Sequence, residues 1–244
     1  MALCLRVPDV RNHFLLAFGS EQLKQLELEF VALRRQDGPI YRVGDPIDHL
    51  FFCETGLGST LALVPNGRGR TVELLTFGGP YGVIGTHTMF LRRESLYEYR
   101  TRIDQRGWKV SRTSLDQAMD KNPAFRTQIA DMIRLVNGLV KQVAVCRTEH
   151  SAEERFCRQI LVISDALATD RIDLSLTTLF QMVPMSKAVW YNQNGLAEAL
   201  ANVVTFKGRS LQIRDRGALE RLACPCFREA VSERARLIKE MQRT

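Results

Sequence analysis

The sequence has no apolar run near the roughly 18 to 20 residues that span a bilayer. Its first residues also lack the charged, apolar and small-residue succession of an export signal. A cytoplasmic protein with no membrane partner is expected. No nucleophile stands at catalytic spacing from a base, and no glycine loop is placed to cradle a phosphate, so an enzyme is not expected. The six cysteines (Cys4, Cys53, Cys146, Cys157, Cys224, Cys226) are scattered. In a reducing compartment they are expected as free thiols. Only Cys224-Pro225-Cys226 is a close pair, and one intervening residue with no histidine nearby makes a poor zinc half-site. A structural role for it is preferred over a redox or metal role, and neither a metal nor a cofactor is expected. There is no basic tail either: the net charge of +7 is spread over both halves of the chain.

What is present is an ordinary globular composition, 45% hydrophobic and 25% charged over 244 residues. That length suffices for one large or two small domains, each with an apolar core. The basic excess weakly favours a polyanionic partner. From about Leu28 to Thr113, short apolar runs alternate with turn residues at Gly44-Asp45-Pro46, Gly56, Pro65-Asn66-Gly67 and Gly78-Gly79-Pro80. That rhythm predicts an antiparallel roll of roughly eight strands, preceded by a helix around Glu21 to Leu26.

Beyond Asn122-Pro123 the period changes. Ile129, Met132, Val136, Leu139, Val143 and Cys146 recur at alternating spacings of three and four, the seam of a long helix that pairs with a second copy of itself. The same stripe would also serve to lie on its own domain. Gly138 costs this helix about 1 kcal/mol relative to alanine and leaves room for close approach.

Ser151 and Glu154 form a capping box ahead of Phe156, Ile160, Leu161 and Ile163, opening a helix expected to end near Asp170. Leu174 to Met182 and Ser186 to Leu200 are two further helical segments, the first capped by Asp173 or Ser175. The alternation around Lys207-Gly208-Arg209 predicts a two-stranded ribbon, and Asp215 can cap a last helix holding Leu219 and Leu222. Three helices and a hairpin are the plan of a winged helix-turn-helix.

The segments "YRVGDPIDHLFFCETGLGSTLALVPNGRGRTVELL", "GPYGVIGTHTMF", "CRTEHSAEERFCRQILVISD" and, above all, "GRSLQIRDRGALERLACPCFREA" resemble the Crp/Fnr family of bacterial transcription regulators over nearly the whole chain. The resemblance implies an α+β fold in three parts. Residues 1–122 would form a cyclic-nucleotide-binding-like β-roll, 123–149 a dimerisation helix, and 150–244 a winged helix-turn-helix. In "GPYGVIGTHTMF" the family pattern implies a small helix bracketed by Gly82 and Gly85. It also implies a homodimer on a near-palindromic promoter site, with RNA polymerase as a further partner, and it makes the Cys224 and Cys226 pair a family habit. The sets that hold cyclic nucleotide or an iron-sulfur cluster are missing. Cyclic AMP is therefore not the expected effector; an effector pocket, if present, would involve Gly82, Gly85, Thr86 and Arg100. A haem ligand from His49 or His87 is the remaining cofactor alternative.

The helix-turn-helix departs from the family twice, with Phe180 where a small residue usually stands and Pro184 where a glycine usually relieves the turn. Ser186, Lys187, Trp190, Tyr191 and Asn194 are the candidates for contacting bases, with Asn192 and Gln193 uncertain in register. Val189 or Trp190 would be the buried anchor. Lys207, Arg209, Arg214 and Arg216 are expected to grip the DNA backbone from the wing region. With one lysine and no arginine on the reading helix, a less selective reader is expected. Two alternatives stand beside DNA reading: a degenerate module that binds a protein, and a sensor using thiols or haem.

Overall fold

The computed structural model describes residues 10–63, 71–74, 78–86, 89, 94–183, 190 and 196–242. Two short helices, α1 (His13–Ala17) and α2 (Ser20–Gln25), precede a sheet of β1 (Leu28–Leu33), β2 (Pro39–Tyr41), β3 (His49–Leu63), β4 (Thr71–Leu74), β5 (Val83–Ile84) and β6 (Glu98–Ser111). The sheet runs β1-β6-β3-β4, with β2 added to β6 and β5 to β3. Its strands pair antiparallel. Six strands appear among the described residues where about eight were expected. Pro65-Asn66-Gly67 lies outside the described residues, although β3 and β4 pair antiparallel on either side of it. The Gly44 turn is present, with φ +87° and an Asp45 N–H to Arg42 carbonyl bond of 3.1 Å.

The interruptions in the long β3 are written by glycine. Gly56 has φ +84°, and a Cβ there would lie 2.2 Å from the Asp104 carbonyl oxygen on β6. Only glycine allows both the conformation and the approach. The β3–β6 register shifts on either side of it, which curls the pair.

Ser111 caps α3 (Arg112–Lys121), a helix the strand rhythm did not announce, and Asn122 caps α4 (Pro123–Glu149) with Pro123 at its first position. The capping box is found as written. Ser151 Oγ accepts from the Glu154 N–H at 3.2 Å, and Glu154 accepts from the Ser151 N–H at 2.9 Å, opening α5 (Ala152–Leu167). This helix stops three residues short of Asp170, where Ala168 turns left-handed at φ +51°.

The carboxy-terminal unit continues with β7 (Arg171–Ile172), α6 (Leu176–Met182) capped by Ser175, α7 (Leu196–Ala199), β8 (Val204–Lys207), β9 (Ser210–Ile213) and α8 (Arg216–Leu222). Asp215 caps α8 through the Ala218 N–H at 2.8 Å. The expected ribbon gains a third strand, because β7 pairs with β9. A final helix, α9 (Cys226–Met241), returns along α4.

One core joins α1, α2, α3, the first half of α4 and the end of α9: Leu237, Ile238 and Met241 are buried with Phe14, Phe18, Phe125 and Met132. Gln128 ties them, donating to the carbonyls of Ala17 (3.2 Å) and Met241 (3.1 Å). A second core fills the winged unit and takes in Leu57 of the roll.

Candidate nucleic-acid interface

Ser186, Lys187, Tyr191 and Asn194 lie outside the described residues. Trp190 does not: it is helical, 5% exposed, and the hub of an aromatic cluster. Its ring centroid lies 5.4 Å from Phe156 on α5, 5.7 Å from Phe180 on α6 and 5.3 Å from Phe206 on β8. Phe180 in turn meets Phe156 at 5.9 Å. Edge-on rings at these distances attract beyond their buried area. Phe180 thus receives the second helix on a ring where a small residue would let the backbones close in. The indole at the centre of this cluster is the anchor, which corrects its placement among the base-reading side chains.

The ribbon positions the wing. Lys207 pairs with Ser210, so Gly208 and Arg209 form a two-residue turn, and Gly208 supplies its φ of +59°. Lys207, Gly208 and Arg209 are all exposed. Arg214 is exposed, with its Nε donating to Thr205 at 3.3 Å. Arg216 is spoken for. It bonds Asp165 at 2.5 Å and Glu220 at 3.2 Å, and Asp170 lies at 3.9 Å. Those contacts fasten α8 to α5 and withdraw Arg216 from the backbone-gripping set.

The seam on α4 is also redistributed. Ile129 and Met132 are fully buried in the chain's own core, Leu139 packs partly against it, and Val136 and Val143 are half-buried. Burial by α9 and the amino-terminal helices is the physical reason: the greasiest stripe is covered by its own chain. The exposed large apolar side chains of α4 are Val140 (52%) and Val145 (50%). Half-buried Ile133, then Asn137, Val140 and Ala144, repeat at four, three and four residues on a face beside the predicted one.

Cys146 is buried against sulfur. Its Sγ lies 3.5 Å from that of Cys224. With Cys224 as donor, that hydrogen bond draws the Cys146 thiol down to about 6 and pushes Cys224 up, and the charge of Arg158 favours the thiolate further. Cys53 and Cys157 are raised by burial, Cys157 to about 12, which makes them inert thiols.

Of the four residues offered for an effector pocket, Arg100 stands apart in register from Gly82, Gly85 and Thr86. Gly82 and Gly85 flank β5, a strand where a small helix was implied, and β5 pairs with Phe51 and Phe52. Arg100 pairs with Ser59, seven residues along β3 from Phe52 and beyond the register shifts around Gly56. Thr86 is buried, Arg100 is exposed and bonded to Glu98, and the Gly82 carbonyl is taken by Asn12 Nδ2 at 3.0 Å and the Cys53 N–H at 2.8 Å. One charged feature of the roll that sequence reasoning missed is Arg102, which grips the buried Glu73 through two nitrogens (2.8 and 2.5 Å) and Ser59 at 2.8 Å. Arg147 on α4 donates to the Glu73 carbonyl at 3.0 Å, tying that strand to the long helix. Neither contact leaves a trace in local sequence.

No described helix is long and apolar enough to cross a membrane. No family model and no curated protein matches the chain. Solved structures do. FixK2 from Bradyrhizobium japonicum is 19% identical, with a TM-score of 0.63 over 81% of this chain and 98% of that one. A CRP-family transcriptional regulator from Thermus thermophilus is 15% identical, with a TM-score of 0.61 over 80% and 96%. The c-di-GMP-responsive global regulator CLP of Xanthomonas campestris is 16% identical, with a TM-score of 0.58 over 80% and 99%. At such identities the likeness speaks for architecture: over about four fifths of its length, the chain has the α+β fold of the Crp/Fnr transcription regulators.

Proposed function

We propose that the chain is a homodimeric transcription regulator of the Crp/Fnr type that binds a near-palindromic promoter site and does not respond to cyclic AMP. Residues 1–122 form the sensor-like roll, 123–149 the dimer helix and 150–244 the DNA-binding unit. The observation that carries this reading is the wing: two cations, Lys207 and Arg209, stand exposed at the tip of a ribbon braced by the same aromatic core that anchors the second helix at Trp190. A rigid ribbon with a cationic tip suits the phosphate backbone. With Trp190 turned inward, Ser186, Lys187, Tyr191 and Asn194 remain for base edges. The dimer contact falls on Ile133, Asn137, Val140 and Ala144. Independence from cyclic AMP rests on the missing nucleotide-binding set in the sequence; Arg102, gripped by Glu73, does not supply it.

Fluorescence anisotropy with labelled genomic promoter fragments tests the reading. Affinity should fall steeply between about 50 and 200 mM salt, and Lys207→Ala or Arg209→Ala should each reduce the salt slope by about 1. Lys187→Ala should blunt the preference among fragments by about 1–3 kcal/mol. Absence of binding to any fragment at low salt overturns it.

A further inference from the structure

The buried thiols bring three distant points of the sequence to one place. Cys146 sits in the last turn of α4, while Cys224 and Cys226 flank Pro225 at the start of α9. Their Sγ atoms all lie within 4.8 Å of one another, the one group of three or more metal-ligating side chains among the described residues. A zinc ion bound at about 2.3 Å by tetrahedral thiolates sets its sulfurs roughly 3.8 Å apart, so the cluster is already near the required spacing. A disulfide fits less well. It would have to close the 3.5 Å between Cys146 and Cys224 to about 2.05 Å, and it would leave the third thiol without a role.

The surroundings carry a second, independent sign. Arg158 on α5 is 6% exposed, its Nε has no hydrogen-bond partner, and no carboxylate pairs with it among the described residues. A buried guanidinium left so is costly unless an anion faces it, and the ionisable groups its charge acts on include Cys146 and Cys224. Three thiolates around a divalent ion carry a net charge of minus one, which a single guanidinium balances; a monovalent ion would leave minus two. Gln142, one turn before Cys146, donates Nε2–H to Cys226 Sγ at 3.1 Å, the kind of outer hydrogen bond that orients a ligating sulfur.

We propose that Cys146, Cys224 and Cys226 form a binding site for a thiophilic divalent cation of the zinc class that staples the end of α4 to the start of α9. The three thiolates leave the fourth position of the tetrahedron to a donor from outside the cluster. Binding releases the thiol protons to solvent and changes no oxidation state. The site is independent of whether the chain reads DNA.

The full chain, reduced and stripped with chelator, is titrated with Co2+. A sulfur-to-cobalt charge-transfer band should rise to one equivalent per chain and vanish on adding Zn2+. Cys146→Ser, Cys224→Ser and Cys226→Ser should each weaken the metal at least tenfold, while Cys53→Ser, buried in the roll, should leave it unchanged. Because serine at a buried site can unfold the protein, the wild type supplies a second readout: Zn2+ should slow alkylation of these three cysteines, mapped by mass spectrometry, and spare the rates at Cys53 and Cys157. No charge-transfer band, a band that survives Cys146→Ser in folded protein, or a Cys146–Cys224 disulfide that forms under diamide equally fast with and without Zn2+ overturns the proposal.

Discussion

Trp190 gives the winged unit its rigidity because three rings from three elements close on it: Phe156, Phe180 and Phe206. Removing a fully packed aromatic leaves a cavity, so Trp190→Ala should destabilise the protein by about 3–5 kcal/mol, read from urea denaturation, and Trp190→Phe by much less. A side chain that read bases would give the opposite pattern, with stability kept and affinity lost. Gly79 is a second residue with no substitute. At φ +58° its absent Cβ would fall 1.8 Å from the Ala166 carbonyl oxygen on α5, so Gly79→Ala should lower the thermal midpoint by the equivalent of at least about 1–3 kcal/mol. The signals legible at this scale were local ones. Ser151 with Glu154, Asp215 and the Lys207-Gly208-Arg209 turn each specify themselves within four residues. Trp190, Arg102 and Cys146 depend on partners 10 to 78 residues away in sequence, which no local pattern encodes.

Helix α4 shows what periodicity reveals of an element and what it omits. Spacings of three and four announced a long helix with one apolar stripe, and that helix is present from Pro123 to Glu149. The partner of the stripe was open, because an apolar face is satisfied equally by a second chain or by its own. Here α9 and the amino-terminal helices take Ile129 and Met132, and α9 carries no signal in the winged plan that would have foretold its return. The two faces make separable predictions. Ile129→Ala should cost about 2–5 kcal/mol of stability in a denaturant titration. Val140→Lys, on a position exposed within the single chain, should leave the far-UV circular dichroism unchanged while shifting the protein from dimer to monomer in sedimentation velocity. If Val140→Lys sediments as the wild type does, the exposed face of α4 is not the dimer contact. Gly138, with nothing within 4 Å of its would-be Cβ, adjoins that face and leaves it room.

Across the whole molecule, α9 is the element that makes the carboxy-terminal unit part of the amino-terminal core, and its grip has a titratable hinge. Arg234 of α9 lies 3.9 Å over the ring of Tyr81, and His13 of α1 stacks against the same tyrosine at 4.2 Å. Burial first, and the charge of Arg234 second, hold the His13 imidazole below its ordinary value of 6.5. The folded protein therefore resists a proton that the unfolded chain accepts. His13 contributes nothing unfavourable above about pH 6.5. As the pH falls below that value, stability drains away until the folded imidazole itself titrates. His49, also depressed chiefly by burial, adds a parallel loss. The share belonging to this hinge is isolated by difference: the urea midpoint of wild type should fall between about pH 7.5 and 5.5, and that of His13→Gln should fall measurably less. Arg234→Ala should also shallow the wild-type slope, since it removes the like charge that protonated His13 would face. A slope unchanged by either substitution would place the acid sensitivity elsewhere and leave the docking of α9 to Leu237, Ile238 and Met241 alone.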